Sequence, residues 1–223
     1  MALEGSLNHE RAYRTAALLE KLAHAKILIC GAGAVGSNLL QNLARQGFAR
    51  LAVVDRDRVE ASNLATQTYR KADLGAQKAT ALKNDVFRIA GVEIEATAAE
   101  VTDRNATKLF KGASVVVDGF DNAASRALVA RTARELALPC LHVGLAADYA
   151  EVMWEADWRC PSGKGEDMCD YPLARNLIVL ATAVASESLI AWVDRGAMTS
   201  WTITLKDLAV RPVTNDEMET PPG

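Results

Sequence analysis

The stretch Lys26–Gly36, KILICGAGAVG, decides the fold. Its first half, Lys26–Cys30, is a short apolar run that predicts a buried β-strand. Glycines follow at Gly31, Gly33 and Gly36. They let the backbone approach a phosphate at the N-terminus of the next helix, where free N–H groups and the helix dipole favour negative charge. The stretch therefore predicts a nucleotide-binding strand–turn–helix unit, which by itself fits NAD, FAD, S-adenosylmethionine or ATP.

Apolar strands and helical patterns alternate from this unit onward, which predicts a doubly wound, Rossmann-like α/β fold with a mostly parallel sheet. Further strands are expected at Leu51–Asp55, Val92–Thr97, Ser114–Asp118 and Pro139–Val143, and helices at Ser37–Gln46, Ala76–Ile89, Asn105–Phe110 and Ala123–Leu136. The pattern changes after Gly144. An antiparallel C-terminal extension is expected from a strand at Ala150–Glu155, a helix at Leu173–Asp194 and a hairpin of Trp201–Leu205 and Leu208–Arg211.

The composition is ordinary for a globular chain, with 223 residues, 50% hydrophobic, 24% charged and a net charge of -3. The length fits one domain, expected at residues 1–213, followed by a tail at 214–223 that is expected to be disordered. Interspersed charges give no basic patch for nucleic acid. The apolar run Asn176–Val193 contains Glu187 and several hydroxyl side chains, which favours a buried helix over a membrane span. The N-terminus lacks a signal-peptide pattern, so a cytoplasmic location is expected.

Residues that can take part in binding or catalysis lie at the carboxyl ends of two predicted strands or open a helix. Asp55 ends the second strand, where a carboxylate can accept hydrogen bonds from ribose hydroxyls, although a surface turn residue would fit too. Lys78 opens a helix and can reach phosphates as a point charge, or it can be a solvated lysine. Asp121 lies just past the fourth strand, where its oxygens can hold Mg²⁺ or cap the next helix.

Three spaced motifs add a family resemblance. Asp55–Gln67 (DRDRVEASNLATQ) resembles the signature D-x-D-x-V-x-x-S-N-L-x-R-Q of the ThiF/MoeB/E1-like adenylyltransferases. Gly75–Lys78 (GAQK) resembles that family's G-x-x-K, and Asp118–Asn122 (DGFDN) resembles its D-x-x-D-N. Order and spacing agree over roughly residues 10–145. The resemblance implies an enzyme that uses ATP and Mg²⁺ to convert a carboxylate to an acyl-adenylate, with release of pyrophosphate.

The resemblance also implies roles for individual residues. By resemblance Lys78, Asp121 and Arg14 are the expected catalytic residues, and Asp121 is the expected magnesium ligand. Arg70 is added to the expected catalytic residues from the need for charge. Asn63 can orient the ribose or a phosphate through its side-chain amide, or it can be an Asx-turn residue. Gln67 is a weaker candidate for the same contact with the nucleotide. The expected nucleotide contacts are Gly31, Gly33, Gly36, Asp55, Asp57, Asn63, Gln67 and Lys78.

The chain departs from the family pattern at two arginine positions. Thr66 stands where S-N-L-x-R-Q has arginine, and threonine has no guanidinium for a phosphate. We hypothesise that Arg70 or Arg58 replaces it, from the need for charge. Arg14 is the best match to an N-terminal arginine that the family lends to a neighbouring subunit. If Arg14 has that role, the protein is a homodimer; otherwise Arg14 is an exposed helix residue.

The cysteines do not form the two C-x-x-C pairs that bind Zn²⁺ in many relatives, so structural zinc is not expected. Cys160 and Cys169 lie in a glycine-rich loop, and Cys140 and His142 share the fifth strand. The loop cysteines could be ordered structural residues, a labile disulfide, or a thiol that captures the activated acyl group as a thioester.

The acyl substrate stays open at this level. By resemblance it is the C-terminal glycine of a ubiquitin-like or sulfur-carrier protein, or a peptide or small-molecule carboxylate. Two other functions remain in view: an NAD-binding Rossmann oxidoreductase, and a degenerate module that binds nucleotide without turnover. Nothing in the sequence supplies a hydride-transfer site for the former, whereas Thr66 is the feature that suggests the latter.

Overall fold

A computed structural model describes residues 5–159 and 173–214. The helices are α1 (Asn8–Arg14), α2 (Ala16–His24), α3 (Ala34–Arg45), α4 (Lys78–Ala90), α5 (Ala106–Phe110), α6 (Ala123–Glu135) and α7 (Arg175–Arg195). The strands are β1 (Lys26–Cys30), β2 (Arg50–Val54), β3 (Glu95–Thr97), β4 (Val115–Asp118), β5 (Cys140–Ala146), β6 (Tyr149–Trp154), β7 (Trp201–Thr204) and β8 (Ala209–Pro212). Cys160, Cys169 and nearly all of the expected C-terminal tail lie outside these residues.

The strands form one sheet in the order β3-β2-β1-β4-β5-β6-β7-β8. Every pair from β3 to β5 is parallel, and every pair from β5 to β8 is antiparallel. The doubly wound sheet with an antiparallel C-terminal extension is therefore confirmed. Cys30 is in register with both Val54 and Asp118, so the carboxyl ends of β1, β2 and β4 meet at one edge of the sheet.

Helices cover the two faces of the sheet with separate apolar cores. One face packs against α2, α3, α4 and α7, and its buried side chains include Leu39, Leu82 and Leu189. The other face packs against α5 and α6, with Phe110 and Val129 in its core. The inner strands are uniformly apolar because helices bury them on both sides.

Two strands differ from the sequence prediction by three residues at one end. β3 begins at Glu95 rather than Val92, because this edge strand pairs with β2 over only three residues. β5 runs on to Ala146 rather than ending at Val143, because its last residues pair with β6.

Helix α7 contains the apolar run Asn176–Val193, for which the sequence predicts a buried helix. It is long and apolar enough to cross a membrane by length and composition, and 50% of its most apolar window is buried in the fold. Its buried hydroxyls donate to the backbone of the same helix, as Thr182 Oγ1 does to Ile178 O at 2.9 Å and Ser188 Oγ to Val184 O at 3.0 Å. These internal hydrogen bonds make its polar residues compatible with packing against α3.

Candidate nucleotide-binding site

A cleft of about 810 Å³ opens along the carboxyl edge of the parallel strands. The segments that follow β1, β2 and β4 form most of its wall, and the end of β5 closes one side. Open α/β sheets bind ligands at this edge, where the strand order reverses on either side of β1. Predicted site residues on its surface are Gly31, Gly33, Asp55, Asp57, Asn63, Gln67, Lys78 and Asp121.

The glycine loop is shaped by close backbone contacts. Gly31 has φ +97°, and a Cβ there would lie 3.0 Å from the carbonyl oxygen of Gly119. A Cβ on Gly36 would lie only 1.9 Å from the carbonyl oxygen of Gly31. A Cβ on Gly33 would meet nothing within 4 Å. Gly36 therefore allows the close packing of loop and helix, whereas Gly33 leaves the mouth of the loop open for a ligand.

Asp55 joins the glycine loop to the segment after β2. Its Oδ2 accepts a hydrogen bond from Ala32 N at 2.6 Å, and its Oδ1 accepts one from Asp57 N at 2.7 Å. Tyr69 Oη donates to the carbonyl oxygen of Ala32 at 2.7 Å. Burial raises the pKa of the Asp55 carboxyl, and the two backbone donors and Lys78 oppose that shift. The carboxylate thus orders the loop as well as facing the cleft.

Lys78 lies in the cleft wall with its side chain held in place. Its backbone N–H donates to Asp57 O at 2.9 Å, and its Nζ lies 3.4 Å from Asp57 Oδ2. The Lys78 side chain is only 9% exposed, whereas that of Asp57 is 56% exposed. The ammonium group is buried, and its one ion pair with a described residue is long, so it can still bind an anionic ligand in the cleft.

The segment after β4 brings an acid to the opposite wall. Asp121 is exposed in the cleft, beside Asn122. The N-cap of α6 is Asn122, whose Oδ1 accepts from Ser125 N at 2.9 Å. Because Asn122 takes the capping position, Asp121 does not serve as the N-cap, which was the structural alternative at this position. A carboxylate here has the oxygen donors that Mg²⁺ requires.

Asn63, Thr66 and Gln67 lie in and after a short 3₁₀ turn that borders the cleft. Asn63 Oδ1 accepts from Glu60 N at 2.9 Å, so it has the predicted turn role as well as a place on the cleft surface. Gln67 Oε1 is buried with no partner among the described residues. Arg175 Nη1 donates to the carbonyl oxygen of Thr66 at 2.9 Å. A cation from α7 therefore comes close to the position where the family pattern has arginine.

Arg14 and Arg70 do not line the cleft. Arg14 pairs with Glu10 on α1 and with Glu187 on α7. Arg70 Nη2 lies 2.6 Å from Asp85 Oδ1 on α4. Of the two arginines suggested as replacements at Thr66, only Arg58 lines the cleft, and its Nη1 donates to Gly75 O at 2.6 Å.

Arg126 is a site residue to which the sequence analysis assigned no role. It lines the cleft from α6 and is 4% exposed. Its Nε donates to the fully buried Asp118 at 2.9 Å, its guanidinium lies 5.6 Å from the Trp158 ring centroid, and its Nη2 has no partner among the described residues. The helical spacing from Asn122 to Arg126 was a usable signal, because it puts the two on one face of a helix.

The parallel half of the sheet, the glycine loop and the acid at the end of β2 place the chain in the doubly wound α/β class, whose members commonly bind nucleotides at this edge of the sheet. More narrowly, the chain belongs to the ThiF family, whose model matches residues 8–171. It is 37% identical over 112 residues to the sulfur carrier protein adenylyltransferase of Thermus thermophilus, which covers 49% of this chain and 41% of that protein. It is 32% identical over 136 residues to SUMO-activating enzyme subunit 2 of Dictyostelium discoideum, covering 60% of this chain and 21% of that protein.

Solved structures confirm the fold. E. coli MccB aligns with a TM-score of 0.78 at 16% identity, covering 96% of this chain and 70% of that one. The same protein solved with ATP gives a TM-score of 0.76 at 17% identity, with coverage of 92% and 69%. The chain spans less than half the length of these curated relatives: 41% of the Thermus protein and 40% of the sulfur carrier protein ThiS adenylyltransferase of Bacillus subtilis.

Proposed function

We propose that this chain binds ATP with Mg²⁺ and adenylates a carboxylate, giving an acyl-adenylate and pyrophosphate. The observation that carries the proposal is the cleft itself, where the glycine loop lies between the buried ammonium group of Lys78 and the carboxylate of Asp121. A triphosphate brings several negative charges, so it needs both a fixed cation and a metal ligand nearby. An NAD site would need neither at these positions.

The reaction starts from an ionised substrate carboxylate, which needs no protein base at neutral pH. One carboxylate oxygen attacks the α-phosphorus, the bond from that phosphorus to the bridging oxygen breaks, and pyrophosphate leaves with the electron pair. Lys78 and the N–H groups of the glycine loop bind the phosphates and stabilise the charge that develops. Arg58 and Arg126 supply two more cations on the cleft surface.

Asp121 is the residue that we assign to Mg²⁺. When bound, the metal neutralises phosphate charge and orients the leaving group. Asp55 orders the loop and accepts from the ribose hydroxyls, with Asp57, Asn63 and Gln67 as further nucleotide contacts. The nucleotide residues expected from the sequence all line this cleft except Gly36, which packs against the carbonyl group of Gly31 instead.

The substrate class comes from the relatives. Their names describe enzymes for sulfur carrier proteins and SUMO, and E. coli MccB has been solved with the peptide MccA. We propose a carboxylate at the C-terminus of a ubiquitin-like or sulfur-carrier protein, or of a peptide. We also propose a cytoplasmic homodimer, with residues 1–213 as one adenylation domain. Arg14 can act in the second subunit's cleft only if it leaves Glu187, its partner in this structure.

The first test is nucleotide binding to the purified chain. ATP with Mg²⁺ and NAD are titrated separately into wild type, Lys78→Ala and Lys83→Ala, a control on the same helix. Wild type is expected to prefer ATP, and Lys78→Ala is expected to bind about 10–100-fold more weakly, because a hydrogen bond to a charged group contributes about 1.5–3 kcal/mol. Lys83→Ala is expected to match wild type. A preference for NAD would refute the proposal.

The second test is turnover. ATP–pyrophosphate exchange is measured with a small carrier protein that ends in Gly-Gly and with a matched carrier that lacks those two residues. Exchange that requires the intact C-terminus supports adenylation of a ubiquitin-like carrier. Tight ATP binding without exchange, either with these carriers or with a panel of peptide carboxylates, indicates a binding module without turnover.

A further inference from the structure

A second group of polar side chains lies on the α6 face of the sheet, outside the cleft. Cys140 and His142 are two apart on β5, so they point to the same face, and both are fully buried. Glu155 follows β6, where its backbone N–H donates to Cys140 O at 2.9 Å. One sulfur, one ring nitrogen and one carboxylate oxygen of these residues all lie within 4.8 Å of one another.

We propose that Cys140, His142 and Glu155 bind one Zn²⁺ ion. Thiolate sulfur, imidazole nitrogen and carboxylate oxygen are the three protein ligand types that zinc uses. Harder cations such as Mg²⁺ and Ca²⁺ prefer all-oxygen sites, so the thiol selects against them. The site is separate from the Mg²⁺ position assigned to Asp121, and its ligands differ from the paired C-x-x-C motifs of zinc-binding relatives.

Small movements bring the three atoms to coordination distance. Tetrahedral zinc with ligands at about 2.0–2.2 Å separates neighbouring nitrogen and oxygen ligands by about 3.3 Å. His142 Nε2 and Glu155 Oε2 are 2.6 Å apart, so they must separate by a further ~0.7 Å. The Glu155 side chain is 20% exposed and lies in the turn after β6, so it is the ligand best able to move and the side from which an ion can enter.

The surrounding residues orient the ligands as in known zinc sites. His142 Nδ1 lies 2.9 Å from Asp118 Oδ2, which leaves Nε2 directed towards Glu155. Carboxylate partners of this kind fix the orientation of a metal-binding imidazole and raise its basicity. Glu155 is held on its other oxygen by Arg134, and the Trp158 ring stacks on His142 with centroids 3.9 Å apart. The ligands therefore have few alternative orientations.

Cys140 distinguishes a zinc site from a cluster that is held together by hydrogen bonds alone. Asp118, His142 and Glu155 would form their contacts without any metal, but the Cys140 thiol takes part in none of the hydrogen bonds formed within residues 5–159 and 173–214. A metal ion is the ligand that would use all three donors. The test must therefore ask whether bound metal depends on Cys140.

The experiment measures metal content on the full chain, purified without chelator, by inductively coupled plasma mass spectrometry. Wild type is expected to hold about one zinc per chain. Cys140→Ser and His142→Gln are expected to lose it. Cys30→Ser is the matched control, because Cys30 is also a fully buried cysteine on an inner strand of the same sheet. It is expected to keep its zinc.

Cobalt substitution gives a second readout that does not depend on yield or activity. Co²⁺ added to zinc-depleted wild type is expected to give thiolate-to-cobalt charge-transfer absorption, and Cys140→Ser is expected to lack it. A wild-type chain with neither zinc nor this absorption would overturn the proposal. So would a Cys160→Ser, Cys169→Ser double variant that loses the metal while Cys140→Ser keeps it, because the ion would then belong to the loop cysteines. If a serine variant does not fold, Glu155→Gln is used, with weaker zinc binding expected.

Discussion

Replacing Asp118 with asparagine is expected to lower the free energy of unfolding by about 3–5 kcal/mol, because it leaves a buried guanidinium without its counter-charge. Asp118 is fully buried, and its Oδ2 contacts Arg126 Nε and His142 Nδ1, both at 2.9 Å. Asparagine keeps the shape and loses the charge. For a chain of this length each kcal/mol corresponds to about 2–4 °C, so the melting temperature is expected to fall by roughly 6–20 °C.

The control is Asp103→Asn, which breaks an ion pair of similar chemistry at the surface. Asp103 pairs with Arg131, and their side chains are 80% and 51% exposed. Exposed pairs contribute about 0–1 kcal/mol, so this variant is expected to unfold close to wild type. Both are compared by urea unfolding at neutral pH in EDTA, so that bound metal makes no contribution. Equal midpoints at equal slopes for the two variants would show that burial gives the Asp118 pair no special weight.

Three further changes follow from the site. In Gly36→Ala the new Cβ would lie 1.9 Å from the carbonyl oxygen of Gly31 and must move by more than 1 Å, at a cost of about 1–3 kcal/mol, so its melting temperature should fall more than that of Gly33→Ala. Burial raises the pKa of the Glu151 carboxyl, so the free energy of unfolding falls as pH rises above the ordinary carboxyl pKa of 4.5 and Glu151 ionises. Glu151→Gln should therefore have a higher melting temperature than wild type at pH 7, and the difference should shrink as pH falls towards 4.5. Arg58→Ala should lose about 10–100-fold in ATP affinity, whereas Arg70→Ala should stay within about twofold; the reverse order would return the phosphate role to Arg70.

The sequence was sufficient for the sheet and for most of the cleft. Buried strands such as Val115–Asp118 are apolar throughout, and parallel strands align their carboxyl ends, so motifs after different strands had to meet. That is why Asp55 and Asp121 could be placed at one edge of the sheet from their positions after strands, whereas the role of Lys78 was expected from the family resemblance. The antiparallel extension could be predicted too, because the hairpin after α7 alternates around a polar turn.

The pairing of long charged side chains could not be predicted from spacing. Arg14 meets Glu187 across 173 positions, and nothing local to either residue indicates that contact. Arg70 turns away from the cleft because its guanidinium pairs with Asp85 on α4. The cluster around His142 joins residues from four separate segments, and only the packing of α6 and β6 against β5 brings them together.

The carboxylate of Asp55 has a consequence for how mutagenesis of this protein is interpreted. One side chain ties the turn after β1 to the turn after β2, through Ala32 and Asp57. Any substitution there releases two walls of the cleft at once, and the second wall includes the residue that touches Lys78. Loss of activity in an Asp55 variant would therefore not show that Asp55 recognises the ribose of the nucleotide. Varying the nucleotide instead, with 2′-deoxy and 3′-deoxy ATP on the intact protein, separates the two effects.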